Sequence, residues 1–305
     1  MIKVVVTGAS GFIGSHVAKY LLSRGVDVLS VGRTEPDFAI RHFKHDLMNG
    51  DHLLVELLQG ADIVIHMAAV PAATPDMDVE DINVRLTRSM YSAAKSASVP
   101  SFLLLSSVKA VAEKSSSKGP LDDTVVPNPY DAYGRSKLAC ESIVRSVGEG
   151  EDIAVTIIRA PLVYGPGVKG NFRALVKMAA LPCPLPLAGL SAERSLLYVD
   201  NLSDLIFTLS AKGRVSGVYY ACDGEDVSTG DLISIIRANL GNKAGIFYVP
   251  VFAFKFIFTL VRRRDYFDKL FSELKVSNTE LEKNLGWKPL YTLEQGLKLT
   301  LNSKQ

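Results

Sequence analysis

The chain has 305 residues and a formal net charge of +2, with 48% hydrophobic and 22% charged residues. A chain of this size can bury one or two cores, and its composition is that of an ordinary globular protein. The near balance of charge, without a basic stripe interleaved with aromatic residues, gives no reason to propose nucleic acid as a partner.

The first predicted element is a strand over residues 3–7 that runs into three glycines. Gly8, Gly11 and Gly14 follow the apolar run, and an amphipathic segment predicts a helix over 12–24. Glycines in such a turn let backbone N–H groups approach a pyrophosphate at the N-terminus of the helix, where the helix dipole favours negative charge. The spacing is G-x-x-G-x-x-G rather than G-x-G-x-x-G, so the position between strand and helix is what indicates a dinucleotide site.

The next predicted strands are short, apolar on both faces and rich in Val, Ile and Leu, as buried parallel strands are. They cover residues 26–31, 62–66, 102–106 and 154–159. Helices are predicted over 51–59, 79–97 and 132–147. This alternation predicts an α/β fold with a doubly wound parallel sheet, the Rossmann fold, in which ligands bind at the carboxyl ends of the strands.

The alternation ends after about Tyr164, where a Gly-Pro-Gly sequence and several prolines follow. Further helices are predicted over 228–240, 251–261, 278–285 and 293–299. We therefore expect a smaller, mostly helical C-terminal substrate lobe. The dinucleotide-binding domain is expected to comprise residues 1–164 and about 195–222, and the substrate lobe residues 165–194 and 223–305.

The apolar segment 251–261 contains Lys255 and runs into three arginines. It is too short to span a bilayer, which needs about 20 residues. The segment fits either an interfacial helix under anionic headgroups or a buried helix with a basic C-terminal end, and we favour the buried helix.

The cysteines and histidines point to a reducing compartment and to no metal. The three cysteines have no C-x-x-C spacing, and the five histidines have no metal-ligand spacing on one helix. The first predicted strand starts too early in the chain for the charged and apolar regions of a signal peptide to precede it. We expect a cytoplasmic protein without a structural disulfide.

A phenol and an ammonium group lie four residues apart in Tyr133-Gly-Arg-Ser-Lys137, on one face of a predicted helix. To act as acid and base near neutral pH, a tyrosine must have its pKa of about 10 lowered by about 2–3 units. A neighbouring ammonium group and an oxidised nicotinamide ring both act in that direction. The same spacing occurs in Tyr91-Ser-Ala-Ala-Lys95, but far from any predicted strand end. We interpret Tyr91 and Lys95 as structural, and Tyr133 and Lys137 as catalytic.

Ser107 closes the predicted strand over 102–106. A hydroxyl group at that end of a strand can donate a hydrogen bond to a substrate oxygen, which stabilises an alkoxide or polarises a ketone. For an isolated serine, the alternative is that it satisfies backbone groups at the strand end.

Taken in this order, the glycine motif, Ser107 and Tyr133-x-x-x-Lys137 resemble the extended short-chain dehydrogenase/reductase family. The resemblance is to its NAD(P)-dependent nucleotide-sugar epimerases, dehydratases and 4-keto-reductases in particular, and it extends over nearly the whole chain. Further matching stretches are 62–69, 83–87, 127–130, 159–167 and 285–289.

The resemblance implies the roles of the site residues. Tyr133 transfers the proton at the sugar hydroxyl or ketone, Ser107 bonds the same oxygen, and Lys137 holds the nicotinamide ribose and lowers the pKa of Tyr133. The cofactor-binding residues that it implies are Gly8, Ser10, Gly11, Phe12, Ile13, Gly14, Arg33, Asp46, Leu47, Met67, Ala68, Ala69, Asn83, Tyr133, Lys137 and Pro161.

The resemblance also implies that Asn171 and Arg194 contact the nucleotide diphosphate. Arginine suits a diphosphate because its guanidinium group donates two parallel hydrogen bonds. The alternative for Arg194 is a surface ion pair, since Glu193 precedes it in the sequence.

The residues after the second predicted strand favour NADP over NAD. Enzymes that prefer NAD usually place an acidic residue there for the ribose 2′-hydroxyl, but this chain has Gly32 and Arg33. Gly32 leaves room, and Arg33 can pair with a 2′-phosphate.

By the resemblance, Asp46 is expected to bond the adenine, and a helix N-cap is its alternative.

Four stretches resemble the reductases of bacterial O-antigen and surface polysaccharide biosynthesis that reduce a UDP-4-keto-6-deoxy-N-acetylhexosamine. They are 105–110, 166–172, 194–197 and 223–229. Epimerases of the family tend to carry Val-Tyr-Gly after the serine, where this chain has Ala110-Val111-Ala112. We therefore predict a nucleotide-sugar reductase acting at C4, with a UDP-glucose or UDP-N-acetylglucosamine 4-epimerase as the alternative.

Two other classes fit the sequence less well. A cofactor-binding sensor without chemistry would lack the Tyr or the Lys, and a reductase of apolar carbonyl compounds would not need Asn171 and Arg194.

By the resemblance, the helices predicted over 79–97 and 132–147 form the interface of a homodimer.

Overall fold

The structure is a computed structural model that describes residues 1–49, 52–71, 78–115, 119–145, 153–250 and 272–302. The helix predicted over 251–261 lies outside the described residues, as does the end of the helix predicted over 132–147. Within the described ranges, no helix combines the length and the apolar character needed to cross a membrane.

The described residues form ten β-strands. These are β1 (Lys3–Thr7), β2 (Asp27–Gly32), β3 (Arg41–Lys44), β4 (Ile63–His66), β5 (Ser101–Ser107), β6 (Ala154–Ala160), β7 (Leu162–Tyr164), β8 (Glu193–Tyr198), β9 (Gly217–Tyr220) and β10 (Asp226–Ser228). Seven of them pair in the order β3-β2-β1-β4-β5-β6-β9, with every neighbour parallel. The predicted parallel Rossmann sheet is confirmed, and β3 and β9 extend it at its two edges.

The described residues also form nine α-helices. These are α1 (Phe12–Ser23), α2 (His52–Leu58), α3 (Val79–Ser96), α4 (Ala132–Arg145), α5 (Gly170–Ala179), α6 (Val199–Lys212), α7 (Thr229–Asn239), α8 (Thr279–Leu285) and α9 (Leu293–Asn302). The sequence did not predict α5 and α6, which lie in the stretch where the alternation of strands and helices ends.

The two faces of the central sheet are covered by different helices, because side chains alternate along each strand. On β1, Val4 and Val6 face the core cluster that contains α1 and α6. Val5 faces the opposite cluster, which contains α2, α3 and α4. The sheet is therefore buried on both sides, as the apolar strand sequences predict.

A second, three-stranded sheet lies in the part of the chain after β6. In it β7 runs parallel to β8, and β10 runs antiparallel to β8. The C-terminal part is helical as predicted, but it is not built of helices alone. Trp287 joins this part to α6, since its indole N–H donates to Asp204 at 2.9 Å.

A buried ion pair anchors α4 to the central sheet. The Arg159 guanidinium on β6 donates to the Glu141 carboxylate at 2.7 Å, and their side chains are 4% and 1% exposed. Ser106 and Arg145 also donate to Glu141, and Tyr220 accepts from Arg159 at 2.6 Å. Removing one member of such a pair leaves a buried uncompensated charge, at a cost of about 3–5 kcal/mol. The carboxyl end of β5 and the helix beside it are therefore held together.

Candidate active site

The turn between β1 and α1 has a geometry that requires glycine. Gly8 has a φ angle of +80°, and a Cβ atom on it would lie 2.8 Å from the backbone nitrogen of Ala68. A Cβ atom on Gly14 would overlap the carbonyl oxygen of Gly8. Strand, turn and helix therefore pack without side chains between them, and a ligand can approach the backbone.

The N-terminus of α1 is free of the groups that would compete with an anion. Gly11 is the N-cap, so it makes no side-chain capping bond, and the first turn contains no acidic residue. At the end of β2, the space around the Cα atom of Gly32 is open. This combination fits a dinucleotide, with the pyrophosphate at the positive end of the helix and the adenosine half beyond Gly32.

Thr7 and His66 connect the carboxyl ends of β1 and β4. The Thr7 hydroxyl lies 2.9 Å from His66 Nδ1 and accepts from two backbone N–H groups of the following loop, those of residues 67 and 68, at 3.2 Å. The other ring nitrogen lies 3.3 Å from the Thr87 hydroxyl on α3. Burial, and next the charge of Lys137, lower the pKa of His66 to about 3. The imidazole is therefore neutral. Sequence analysis did not single out either Thr7 or His66.

Asn83 fixes the loop that contains Met67, Ala68 and Ala69. Its buried amide group accepts from Val70 N at 2.7 Å and donates to Val70 O at 3.2 Å. It also donates to the Ser136 hydroxyl on α4 at 3.0 Å. Asn83 therefore positions this loop against α4, beneath the glycine turn.

Lys137 and Tyr133 lie on one face of α4, as their spacing predicts. Lys137 is 5% exposed, and its ammonium group donates to the Leu105 carbonyl on β5 at 2.9 Å. The same nitrogen lies 5.8 Å from the centre of the half-buried Tyr133 ring. The two side chains therefore lie close together at the carboxyl end of β5.

The backbone at the start of α4 packs closely against the turn after Ser107. Ser107 ends β5 and starts a 3₁₀ turn, Val108–Ala110, in which its hydroxyl accepts from Lys109 N at 3.2 Å. A Cβ atom on Gly134 would overlap the Lys109 carbonyl group. The N-terminus of α4 thus lies directly against the turn that Ser107 begins.

Tyr91, which has the same spacing to a lysine, lies in the core. Its side chain is 2% exposed, and its ring packs edge-on against Phe102 at 5.1 Å between ring centres. The interpretation of Tyr91 as a structural residue is confirmed.

The two residues expected at the diphosphate differ in their surroundings. Arg194 on β8 is partly buried, which lowers the pKa of its guanidinium, while the Glu113 carboxylate acts in the opposite direction. Glu193 forms an ion pair with Lys275. Asn171 is exposed in the first turn of α5.

The residues expected near the adenosine half of the cofactor lie at or after the ends of β2 and β3. Arg33 is exposed just after β2, and the strand register places Lys44 at the end of β3 beside Gly32. Asp46 accepts from Met48 N at 3.1 Å in the turn that follows. Helix α2 begins only at His52, so Asp46 is not its N-cap.

The other residues expected at the cofactor line the same edge of the sheet. Ser10 is exposed, Phe12 and Ile13 are half-buried at the start of α1, and Leu47 and Pro161 are buried. All of them follow the carboxyl end of a strand or belong to the turn after it, where ligands of parallel sheets bind.

Comparison with known proteins agrees with this geometry. Residues 4–222 match the family model described as "NAD dependent epimerase/dehydratase family". The chain is 28% identical to the UDP-glucose 4-epimerase of Vibrio cholerae over 98% of this chain and 94% of that protein. It is 26% identical to the GDP-6-deoxy-D-mannose reductase of Pseudomonas aeruginosa, over 98% and 96%.

Solved structures show the same fold. The UDP-N-acetylglucosamine 4-epimerase from Bacillus cereus superposes with a TM-score of 0.82 at 20% identity, covering 99% of this chain and 96% of that chain. The UDP-glucuronic acid 4-epimerase from Bacillus cereus, in complex with NAD, superposes with a TM-score of 0.80 at 23% identity, covering 99% and 98%. At these identities the likeness concerns the fold alone.

The neutral, buried His66 makes stability depend on pH. The unfolded chain binds a proton at this residue below its ordinary pKa of 6.5, whereas the folded chain binds it only near pH 3. The free energy of unfolding therefore falls as the pH drops below 6.5, by about 2 kcal/mol between pH 6.5 and 5. Scanning calorimetry of His66→Gln is expected to show a smaller loss of Tm over this range than the wild type shows.

The exposed His52 provides the control for this measurement, because its side chain is 85% exposed. His52→Gln is expected to keep the wild-type slope of Tm against pH. An equal slope in His66→Gln and in the wild type would show that folding does not lower the pKa of His66.

Proposed function

The chain belongs to the NAD dependent epimerase/dehydratase family, and on that premise we propose that it transfers a hydride at C4 of a nucleotide-activated sugar. Its relatives include epimerases, reductases and dehydratases, so it is an NAD-dependent enzyme of this kind. The observation that carries the proposal is the meeting of α4 with the turn after β5, which brings Ser107, Tyr133 and Lys137 to one edge of the sheet.

In this proposal each residue of the triad has a distinct task. When bound, NAD(P)H supplies the hydride for C4 of a 4-keto sugar. Tyr133 donates its phenolic proton to the oxygen at C4, and Ser107 donates a hydrogen bond to the same oxygen, which stabilises the negative charge that develops there. Lys137 would hold the nicotinamide ribose, and its ammonium group lies 5.8 Å from the centre of the Tyr133 ring.

We assign the cofactor and the substrate to different parts of the chain. The glycine turn and the N-terminus of α1 would hold the pyrophosphate of the cofactor, within a domain formed by residues 1–164 and 195–222. Asn171 and Arg194 would hold the diphosphate of the substrate, within a lobe formed by residues 165–194 and 223–305. The partial burial of Arg194 supports this, because a desolvated guanidinium attracts a diphosphate more strongly than an exposed one.

We also propose a homodimer formed through α3 and α4.

For the direction of the reaction, we propose reduction of a UDP-4-keto-6-deoxy-N-acetylhexosamine in bacterial O-antigen or surface polysaccharide biosynthesis. The sequence Ala110-Val111-Ala112 supports it, since family epimerases tend to have Val-Tyr-Gly there. The similarity to a GDP-6-deoxy-D-mannose reductase is consistent with it. The second candidate is 4-epimerisation of UDP-glucose or UDP-N-acetylglucosamine, favoured by the similarity to the Vibrio cholerae epimerase.

An assay of cofactor consumption separates the two candidates. The purified protein is mixed with UDP-4-keto sugars and NADPH, while absorbance at the reduced nicotinamide band and product mass are followed. A reductase consumes one NADPH for each product, which is two hydrogens heavier than the substrate. Interconversion of UDP-sugars of unchanged mass without added cofactor would contradict the reductive proposal in favour of epimerisation.

Replacing the proposed acid tests the chemistry itself. Tyr133→Phe is expected to lower kcat by about 100- to 10,000-fold, because it removes the phenol proposed to donate the proton, while cofactor binding stays unchanged. Tyr91→Phe is the matched control, since Tyr91 has the same spacing to a lysine but lies in the core. Near wild-type turnover by Tyr133→Phe would disprove the catalytic assignment.

The NADP preference is proposed from the two cations beside Gly32. Arg33 and Lys44 lie at the ends of β2 and β3. We expect kcat/KM to be higher with NADPH than with NADH, and Arg33→Asp to lower that ratio by about 10- to 100-fold through loss of a charge-assisted hydrogen bond. Arg41→Ala is the control, because Arg41 pairs with Asp27 at the opposite end of these strands. A clear preference of the wild type for NADH would refute this proposal.

A further inference from the structure

Lys109 lies between the two proposed catalytic groups and forms two ion pairs. Its ammonium group donates to Asp131 at 2.7 Å and to Glu113 at 3.0 Å. Burial acts to lower the pKa of Lys109, but the hydrogen bonds to both carboxylates outweigh it and raise the pKa. The Lys109 side chain is therefore a permanent cation in a half-buried position.

Asp131 carries this interaction to the helix that contains Tyr133. One carboxylate oxygen accepts from Lys109, and the other accepts from the backbone N–H of Gly134 at 2.7 Å. Lys109 also contacts Gly134 directly, through its carbonyl group. The two ends of Lys109 thus meet Asp131, just before α4, and Gly134 in its first turn, and these residues flank Tyr133 in the sequence.

The buried anchor of α4 at Glu141 is too distant to place Tyr133. Glu141, which holds the helix to β6, comes eight residues after Tyr133, about 12 Å along the helix axis. Lys137 holds the middle of the helix to Leu105. Asn83 and Glu80 hold the first turns of α4 to α3. Lys109 and Asp131 hold the start of α4, where the phenol lies, to the turn after Ser107.

We propose that Lys109 is a positioning residue, whose ammonium group holds Asp131 and thereby sets the separation between the Ser107 hydroxyl and the Tyr133 phenol. The inference rests on the proposed hydride transfer at C4. Lys109 itself does not touch the reacting atoms in this account. Its backbone N–H bonds the Ser107 hydroxyl and its ammonium group reaches the helix, so one residue joins the two groups that must meet at the sugar oxygen.

Replacing a positioning residue changes the reaction rate, whereas replacing a purely structural residue changes stability. Partly exposed ion pairs contribute little to stability, so loss of the Lys109 charge is expected to leave Tm almost unchanged. A displaced acid, by contrast, slows the chemical step, and a shift of about 1 Å can cost about 100-fold in rate. Loss of the Lys109 charge should therefore slow the chemical step while leaving Tm almost unchanged.

The test compares three variants with a matched control. Lys109→Met removes the charge and keeps the length of the side chain, Asp131→Asn keeps the oxygen that caps α4, and Lys109→Arg restores the cation. Asp27→Asn is the control, because it breaks an ion pair of the same 2.7 Å length far from the proposed site. Steady-state kinetics, Tm and the isotope effect of 4-deuterated reduced cofactor are measured for each.

We expect Lys109→Met and Asp131→Asn to lower kcat by about 10- to 100-fold, with KM for the sugar nucleotide within about twofold of wild type. The primary isotope effect on kcat stays at least as large as in the wild type, because the loss lies in the chemical step. Lys109→Arg regains most of the activity, and Asp27→Asn keeps wild-type kinetics.

The proposal is overturned by wild-type kcat in Lys109→Met. It is also overturned if kcat falls together with the isotope effect, or if Lys109→Arg is as slow as Lys109→Met. Should Lys109→Met not fold, Asp131→Asn and Lys109→Arg decide the matter by the same criteria. A wild-type protein that turns over no nucleotide sugar would instead contradict the proposed function, so the two failures are distinguishable.

Discussion

The contact between Gly134 and the Lys109 carbonyl is the constraint on which the arrangement of the site depends. Because Gly134 has no side chain, α4 lies directly against the turn after β5. That approach places a residue of the helix, Tyr133, next to the turn that starts at Ser107. Any side chain at position 134 would push the helix away and separate the two groups. The buried ion pair of Glu141 and Arg159 then holds the rest of α4 at the same depth over the sheet.

The central half of the fold could be predicted from the sequence because its strands are apolar on both faces. The glycine turn and five strands of the sheet were predicted close to their observed bounds. β3 was not predicted as a full strand since three of the four residues in Arg41-His42-Phe43-Lys44 are polar, and it pairs along one side only, at the sheet edge. α6 was missed although Leu202, Leu205 and Leu209 follow the helical period. Its buried residues also include Asn201 and Ser203, whose polar side chains interrupt the apolar pattern in the sequence.

Some features of the candidate site could be predicted from the sequence, and others could not. The spacing of Tyr133 and Lys137 places both on one helix face whatever the tertiary structure, so local sequence was sufficient to predict their pairing. The sequence also distinguished Tyr133 from Tyr91, because Tyr91 lies far from any predicted strand end, and the burial of Tyr91 agrees with that distinction. Contacts between distant segments, such as Thr7 with His66 and Lys109 with Asp131, join residues far apart in the chain and leave no periodic signal in it.

The most direct test of this account is a crystal structure of the protein with NADP⁺ and a UDP-sugar bound. The account predicts that the Tyr133 phenolic oxygen and the Ser107 hydroxyl oxygen both lie within hydrogen-bond distance, about 2.6–3.2 Å, of the oxygen at C4 of the sugar. Lys137 should then lie beside the ribose next to the nicotinamide. A complex in which the phenol turns away from the sugar, or in which the two oxygens bond different atoms of it, would contradict the account.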